Sequence, residues 1–210
     1  MKQIPKGPPE AVLFDWDGTL LDSWHADSQA YLAMFRTLGI GWGLNELEQH
    51  YSPNWYYVYR AAKLPRKRWE EADRTWRKHY AKHHPKLIPR VRPVLTALLK
   101  QHRLGLVTSG DRSRVMRQLS EFRLQQVFSA CVCAADTPHR KPHPAPLRLA
   151  LEKMHLEPAV CLYVGDSPED LEMAASAGVR AIAVLGPFPT GKRLRAARPE
   201  FLVESIEDLP

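Results

Sequence analysis

The sequence predicts an α/β protein with a parallel sheet and a helical segment inserted into it. From residue 89 to residue 185, short apolar runs alternate with stretches of helical periodicity. Such alternation is typical of βαβ units, whose strands run parallel. Between Asp22 and about His84, apolar and aromatic residues instead recur only at helical spacing. We therefore predict a core formed by residues 1–21 and 89–210, and an inserted α-helical cap domain of residues 22–88.

The first predicted strand is the short apolar run Ala11–Phe14, which ends at turn-forming residues. Asp15 and Asp17 follow it two positions apart, and because side chains alternate along an extended chain they can share one side. Two carboxylates this close repel each other unless one is protonated or a cation lies between them. The pair is also compatible with a plain polar turn in which Asp17 caps the next segment, so the motif alone leaves both interpretations open.

The inserted segment predicts several helices. Apolar residues at helix spacing from Trp24 to Leu38, followed by Gly39, indicate a helix that stops at the glycine. Leu44–Tyr51 indicates a second, short helix, and the apolar stripe from Trp69 to Tyr80 indicates another. The aromatic residues of these stripes are expected to pack between helices rather than to stack on nucleic-acid bases.

All the excess positive charge of the chain lies between Arg60 and Arg90, mostly within the inserted segment. The formal net charge is +7, and the stretch from Arg60 to Arg90 holds eleven basic residues against three acidic ones. A basic stripe can attract nucleic acid or other polyanions, but most charge runs are solvated helix faces. We favour the solvated face and expect no nucleic-acid partner, with a polyanion-binding module kept as an alternative function.

The rest of the chain predicts four further strands and the helices between them. The strands are Leu104–Val107, Val127–Ala134, Val160–Val164 and Ala181–Leu185, and the helices are Val94–Lys100, Arg112–Phe122, Leu147–Met154 and Leu171–Ala177. Ligands of parallel sheets bind beyond the carboxyl ends of the strands. Asp15, Thr108 and Asp166 each follow a predicted strand, so one crevice can gather all three.

Two loops carry further charged residues. Ser167-Pro168 with Asp170 is a typical helix start, in which the acid three residues after the serine completes a capping box. Asp170 is therefore explained by capping alone, whereas Asp166 lies before the cap and is free for chemistry. Lys141 lies between Arg140 and Pro142 in a proline-rich loop, where a lone lysine is usually solvated.

Composition and the N-terminal residues bear on location. The chain is 44% hydrophobic and 25% charged, which is ordinary for a globular protein. Met1–Pro9 carries charge without an apolar stretch, so no secretory signal is predicted, and no apolar run is long enough to span a membrane. Three cysteines give no disulfide framework and fit a reducing compartment. We expect a cytoplasmic protein without a membrane partner.

In combination, these motifs resemble the haloacid dehalogenase superfamily, in its phosphatase branch with a helical cap inserted after the first strand. Four segments match in order, namely Asp15–Ser23, Thr108 at a strand end, Lys141–Pro144 and Gly165–Asp170. The segment Ala174–Gly178 also resembles the family's helix of small residues that ends in a glycine. The similarity to phosphoglycolate-phosphatase-like enzymes implies a Rossmann-like core and a small phosphorylated metabolite as substrate. We expect a monomer or a homodimer.

The resemblance assigns a role to each carboxylate of the first and fourth motifs. It implies that Asp15 is the nucleophile that forms an aspartyl-phosphate and that Asp17 is the general acid/base. It also implies Mg²⁺ as cofactor, with Asp15, Asp166 and the Asp17 backbone carbonyl as ligands. The physics agrees, because a phosphoryl group carries a charge of about −1.5 to −2. An anionic Asp15 meets repulsion of about 4 kcal/mol per unit pair at contact, which a cation must offset.

Three other residues would bind the phosphoryl group. The resemblance implies that Thr108, Ser109 and Lys141 donate hydrogen bonds or charge to its oxygens, and that Asp170 supports the metal ligands. The presence of Asp17 favours a phosphatase over a dehalogenase, because the dehalogenases of the superfamily lack this acid/base residue.

Substrate choice is not readable from the sequence. The turn containing Asn54 and Trp55 matches the position of the family's substrate-specificity loop, and His25 is expected near the mouth of the crevice below it. Packing of Trp55 between helices and turn closure by Asn54 explain the same residues equally well. A phosphosugar mutase stays open because it would keep the same core residues. A phosphonatase, with Lys63 as a conceivable Schiff-base lysine, also stays open.

Overall fold

The computed structural model describes residues 8–209, so most of the N-terminal segment predicted to lack a signal lies outside the described residues. In chain order the strands are β1 (Ala11–Phe14), β2 (Leu21–Asp22), β3 (Lys86–Leu87), β4 (Arg103–Val107), β5 (Ala130–Val132), β6 (Cys161–Gly165), β7 (Arg180–Val184) and β8 (Phe201–Val203). The helices are α1 (Trp24–Leu38), α2 (Leu44–His50), α3 (Trp55–Ala61), α4 (Trp69–Tyr80), α5 (Val91–Leu98), α6 (Arg112–Glu121), α7 (Ala145–Met154), α8 (Pro168–Ala177) and α9 (Gly191–Ala196).

Six strands form one parallel sheet in the order β5-β4-β1-β6-β7-β8. The central strand β1 is buried along its whole length because helices cover both faces of the sheet. Its side chains alternate between the two layers of the core. Val12 and Phe14 pack with α5 and α6, whereas Ala11 and Leu13 pack with α7 and α8. The predicted α/β fold class is confirmed.

The inserted helices α1 to α4 share a hydrophobic cluster of their own, rich in aromatic residues. The chain leaves the core through β2 and returns through β3, and the two short strands pair with each other, Leu21 opposite Leu87. Exit and return are therefore adjacent. The predicted boundaries of the inserted segment fall at this pair, and its division from the core as a separate domain stays a prediction.

Two parts of the sheet differ from the expectation. The run predicted as a strand from Val127 to Ala134 contains only the three residues of β5, because Val127 is held in a turn by Leu124 and Ser129 bonds to Leu104 before the strand begins. β8 and α9 were not anticipated. β8 has no neighbour beyond β7 among the described residues, and its half-exposed three-residue run lacks the strong apolar pattern of a central strand.

The basic stretch behaves as a solvated surface. Ten of the eleven basic residues between Arg60 and Arg90 are exposed. The other, Arg68, is partly buried and bonds to Glu71 and to the Leu38 carbonyl. Among the described helices, none combines the length and the apolar character that crossing a bilayer requires.

We expect Met34→Ala to destabilise the inserted helices. Met34 is fully buried in their cluster, and truncation of a buried methionine leaves a cavity that costs about 2–5 kcal/mol. Leu44→Ala is the control, because Leu44 is 41% exposed and should change the free energy of unfolding by less than about 0.5 kcal/mol. Urea denaturation followed by circular dichroism measures both. Equal free energies of unfolding in the two variants would contradict the assigned packing.

Candidate active site

The carboxyl ends of three adjacent strands bring together the residues that the motifs predicted. Asp15 follows β1, Thr108 follows β4 and Asp166 follows β6. Main-chain bonds extend the sheet one step further, since the Asp15 amide donates to the Val164 carbonyl at 2.9 Å. All three side chains are buried, at 3–5% exposure. One crevice therefore contains them, as expected from the strand order.

Lys141 lies beneath this group rather than in solvent. Its Nζ is 2.6 Å from Asp15 Oδ1 and 2.7 Å from Asp170 Oδ1, and the side chain is 1% exposed. Burial lowers the pKa of the lysine, but the two carboxylates raise it by more. The pKa of the Lys141 ammonium is therefore above its ordinary value. Lys141 is thus a fixed positive charge behind Asp15, and it does not line the cavity in front of it.

Asp170 is fully engaged by its neighbours. One carboxylate oxygen accepts from Lys141 and from the Tyr163 hydroxyl at 3.0 Å. The other accepts from the Ser167 amide and hydroxyl, which completes the predicted capping box of α8. Capping and support are therefore not alternatives, because the residue that starts the helix also orients the lysine.

The buried carboxylates are under-compensated. Burial raises the pKa of Asp15 to about 7, although Lys141 opposes the shift and Asp170 adds to it. Burial, together with the charges of Asp15 and Asp170, raises the pKa of Asp166 well above its usual range. Asp166 accepts a hydrogen bond from Thr19, at 3.3 Å. A cation placed between Asp15 and Asp166 would relieve this unfavourable charge.

Glycine is required at the turn after Asp17. Gly18 has a φ of +88°, in the region that side chains avoid, and a Cβ there would lie 2.3 Å from Asp166 Oδ2. The loop after β7 crosses equally close, since a Cβ on Gly186 would lie 2.1 Å from the Gly18 carbonyl oxygen. Both glycines let two backbones approach the carboxylates directly.

Asp17 lies outside the group formed by Asp15, Asp166 and Asp170, and it is held by an arginine that sequence reasoning missed. Arg114 Nη1 and Nη2 donate to its two oxygens at 2.9 and 2.6 Å, and Ser23 Oγ donates to Oδ1 at 2.8 Å. Burial opposes ionisation, but the guanidinium charge outweighs it and holds the pKa of Asp17 below its usual range. Arg114 was predicted only as part of a helix. No sequence signal distinguishes it from the neighbouring arginines Arg112 and Arg117.

The segment after β4 offers hydroxyl groups to an anion. Thr108 Oγ1 accepts from the Gly110 amide at 2.9 Å, which leaves its own hydrogen free to donate. Ser109 Oγ is buried and has no hydrogen-bond partner among the described residues, and Ser109 lines the cavity. These hydroxyl groups can donate hydrogen bonds to an anion bound in the cavity.

A cavity of about 180 Å³ lies in front of Asp15, between the core and the inserted helices. Its outer wall is aromatic, formed by Tyr31, Tyr51, Trp55, Tyr59, Trp76 and Tyr80. Asp27, also missed by sequence reasoning, is buried in this wall and accepts from Trp76 Nε1 at 3.1 Å. Burial raises its pKa to about 8.

The residues predicted to read the substrate are only partly at the cavity. Trp55 lines it, while Asn54 does not, because its Oδ1 caps α3 by accepting from the Tyr56 amide. His25 is exposed and packs edge-on against His83, away from the cavity lining. Lys63 is likewise exposed. No lysine lines this cavity among residues 8–209, so a Schiff base there has no candidate.

The donor set fits a magnesium ion. Oxygens of Asp15, Asp166 and Asp170 lie within 4.8 Å of one another, and hard carboxylate oxygens are what Mg²⁺ prefers. Because Asp170 is occupied by Lys141, Tyr163 and Ser167, the oxygens left for a metal belong to Asp15 and Asp166. The Asp17 side chain is occupied by Arg114, so its backbone carbonyl is the ligand that this residue can still offer.

Comparison with known proteins agrees with this geometry. A model of the haloacid dehalogenase-like hydrolase family matches residues 12–184. A pyrophosphatase PpaX of Bacillus cereus is 29% identical over 203 residues, covering 94% of this chain and 93% of that protein.

Solved structures share the fold. A predicted phosphoglycolate phosphatase from Haemophilus somnus superposes with a TM-score of 0.84 at 22% identity, covering 97% of each chain. CbbY from Rhodobacter sphaeroides, solved in complex with phosphate, superposes with a TM-score of 0.82 at 22% identity, covering 96% of each chain. The family match includes all four motifs, which lie around one cavity in this structure. The chain belongs to the haloacid dehalogenase-like hydrolase family.

Proposed function

We propose that this hydrolase is a Mg²⁺-dependent phosphatase that cleaves a small phosphomonoester through an aspartyl-phosphate on Asp15. The observation that carries the proposal is the buried Asp15, with Lys141 fixed behind it and the hydroxyls of Thr108 and Ser109 beside it at the floor of a closed cavity. A carboxylate nucleophile splits one difficult displacement into two easier ones.

In the first half of the reaction, a carboxylate oxygen of Asp15 attacks phosphorus and the bond to the leaving oxygen breaks. Asp17 gives its proton to that oxygen, which departs as an alcohol. Thr108 and Ser109 donate hydrogen bonds to the phosphoryl oxygens, where negative charge concentrates. Lys141 keeps the carboxylate of Asp15 in position from behind.

In the second half, water attacks phosphorus and the bond to Asp15 breaks, which frees phosphate and restores the carboxylate. Asp17, left as a carboxylate by the first half, takes the proton of the water and so regains the proton that it gave up, while its pair with Arg114 keeps it in place. Asp15, Asp166 and the Asp17 carbonyl would hold Mg²⁺, whose two positive charges offset the repulsion between nucleophile and phosphate. Asp170 acts through Lys141.

The structure bears differently on the three alternative functions that the sequence left open. A mutase would use the same core residues, so it stays a second candidate within the same chemistry. The phosphonatase alternative loses its support, since Lys63 lies outside the cavity. The exposed basic face of the inserted helices fits a solvated surface. A polyanion-binding role would predict binding that weakens steeply with salt and survives Asp15→Asn.

We expect Asp15→Asn to lower kcat by at least about 10⁴-fold, since an amide is not a nucleophile and the steps of such a unit fail together. The fold should survive, because Lys141 keeps Asp170 as a partner. Asp22→Asn, at an exposed position near the same loop, is the control and should keep wild-type turnover. Release of phosphate from p-nitrophenyl phosphate and a thermal melt measure both properties. Near wild-type activity in Asp15→Asn would remove Asp15 from the mechanism.

We expect Mg²⁺ to be required for turnover and to bind the resting protein. Saturation at 100 times the Kd should stabilise the wild type by about 2.7 kcal/mol. Asp166→Asn should lose this rise in Tm along with activity, whereas Asp22→Asn should keep it. Ca²⁺ should inhibit, because it prefers more ligands in looser geometry. Full activity in excess chelator, or an unchanged Mg²⁺ response in Asp166→Asn, would contradict the assigned ligands.

We expect Trp55, and not Asn54, to influence the choice of substrate. Trp55→Ala should change the order of kcat/KM across phosphomonoesters with different leaving groups, because Trp55 forms part of the cavity wall. Asn54→Ala should keep that order and instead cost about 0.5–2 kcal/mol of stability through loss of the α3 cap. A reordering by Asn54→Ala with unchanged stability would restore the original assignment of that residue.

A further inference from the structure

Arg114 has a place in the site that no motif assigns. It is the third residue of α6, it is 8% exposed, and its guanidinium grips both oxygens of Asp17. A bidentate fork fixes the plane of a carboxylate as well as its distance. Gly110 makes room for it, because a Cβ there would lie 2.5 Å from Arg114 Nη2. The turn that carries Asp17 thereby gains a rigid anchor in a core helix.

The same guanidinium also contacts the inserted helices. Nη1 donates to the Tyr80 hydroxyl at 3.2 Å, and the guanidinium carbon lies 4.9 Å from the centre of the Tyr80 ring. Gln118 closes the network, donating to the same hydroxyl at 3.4 Å and accepting from Arg114 and Trp16. Tyr80 is the last residue of α4. One buried cation therefore joins the first motif, a core helix and the inserted segment.

The buried ion pair between Arg114 and Asp17 is not explained by a gain in stability. Replacing a buried ion pair by apolar residues of similar volume is often neutral or stabilising, so the pair is weak as a stabilising device. Its geometry is better explained by orientation. A carboxylate that transfers a proton must meet the reacting oxygen within hydrogen-bond reach. Ser23 bonds to only one oxygen of Asp17, whereas Arg114 holds both and so fixes the plane of the carboxylate.

We propose that Arg114 is a positioning residue that orients the Asp17 carboxylate for proton transfer and couples this orientation, through Tyr80, to the docking of the inserted helices. The inference rests on the proposed acid/base role of Asp17. It assigns Arg114 no direct contact with the substrate.

The dependence on leaving group separates orientation from general damage. An alkyl phosphate needs a proton on its leaving oxygen, whereas p-nitrophenolate leaves readily without one. Because kcat/KM reports the steps up to release of the leaving group, Arg114→Gln should lower it by about tenfold to a hundredfold for β-glycerophosphate. This is less than the full 10²–10⁴ of general acid catalysis, because Asp17 itself is still present. For p-nitrophenyl phosphate the change should stay below about threefold by the same reasoning. A purely structural role would lower both alike.

Matched variants complete the experiment. Arg114→Lys keeps the charge but loses the fork, so it should resemble Arg114→Gln; restoration by lysine would overturn the orienting role. Arg112→Gln is the control, since Arg112 lies on the same helix and pairs with Asp136 away from the cavity. It should match the wild type on both substrates.

Coupling to the inserted helices is tested by Tyr80→Phe, which removes the hydroxyl and keeps the ring and the ion pair. It should show a smaller loss with the same leaving-group pattern, and its effect should not add to that of Arg114→Gln. Additive losses would overturn the coupling. Because Tyr80→Phe leaves the Arg114–Asp17 pair intact, it gives a result even if Arg114→Gln folds poorly.

Asp17→Asn serves as the reference. If it shows no leaving-group dependence, the proposed acid/base role fails. If it shows that dependence and Arg114→Gln does not, only the inference about Arg114 fails.

Discussion

Repulsion among buried carboxylates is the constraint on which the rest of this site depends. Asp15, Asp166 and Asp170 bring three acidic groups within 4.8 Å of one another, against one buried ammonium group on Lys141. At contact distance each like-charge pair costs about 4 kcal/mol under moderate screening. Asp170 is stabilised by the start of α8, by Tyr163 and by the lysine. The uncompensated charge that remains belongs to Asp15 and Asp166, and both line the cavity. A divalent cation between them would offset this repulsion and, under the proposed function, the charge of the phosphate as well.

The parallel sheet is what makes this crowding achievable. β1 is central, so its carboxyl end has a neighbour on each side, and the residues after β4 and β6 lie within side-chain reach of Asp15. Main-chain hydrogen bonds fix the positions of those strand ends independently of the side chains. Close backbone approach at Gly18 and Gly186 then lets a turn and a distant loop cover the carboxylates without a side chain between them.

Much of the fold was predictable because its elements are specified by short-range sequence patterns. The alternation of strands and helices, the capping box at Ser167 and the stop at Gly39 each follow from patterns that span only a few residues. Arg114 and Asp27 were not predictable, because each acts through partners distant along the chain. Arg114 meets Asp17 across 97 positions and Asp27 meets Trp76 across 49. The pairing of Lys141 with Asp15 and Asp170 was likewise unpredictable, because it joins residues 126 and 29 positions apart, and its role as a phosphate ligand stays a prediction.

The core and the inserted helices contribute different residues to the cavity. The core holds Asp15, Thr108 and Asp166, whereas the aromatic wall of the cavity comes from the inserted helices. In the proposed mechanism, the aspartyl-phosphate forms with water excluded and is then hydrolysed by water. Under the proposed mechanism, one carboxylate, Asp17, serves both steps. Its orientation must therefore persist while the cavity exchanges alcohol for water. An anchor placed in the core and contacting the insertion, as Arg114 is, satisfies both demands without moving the nucleophile.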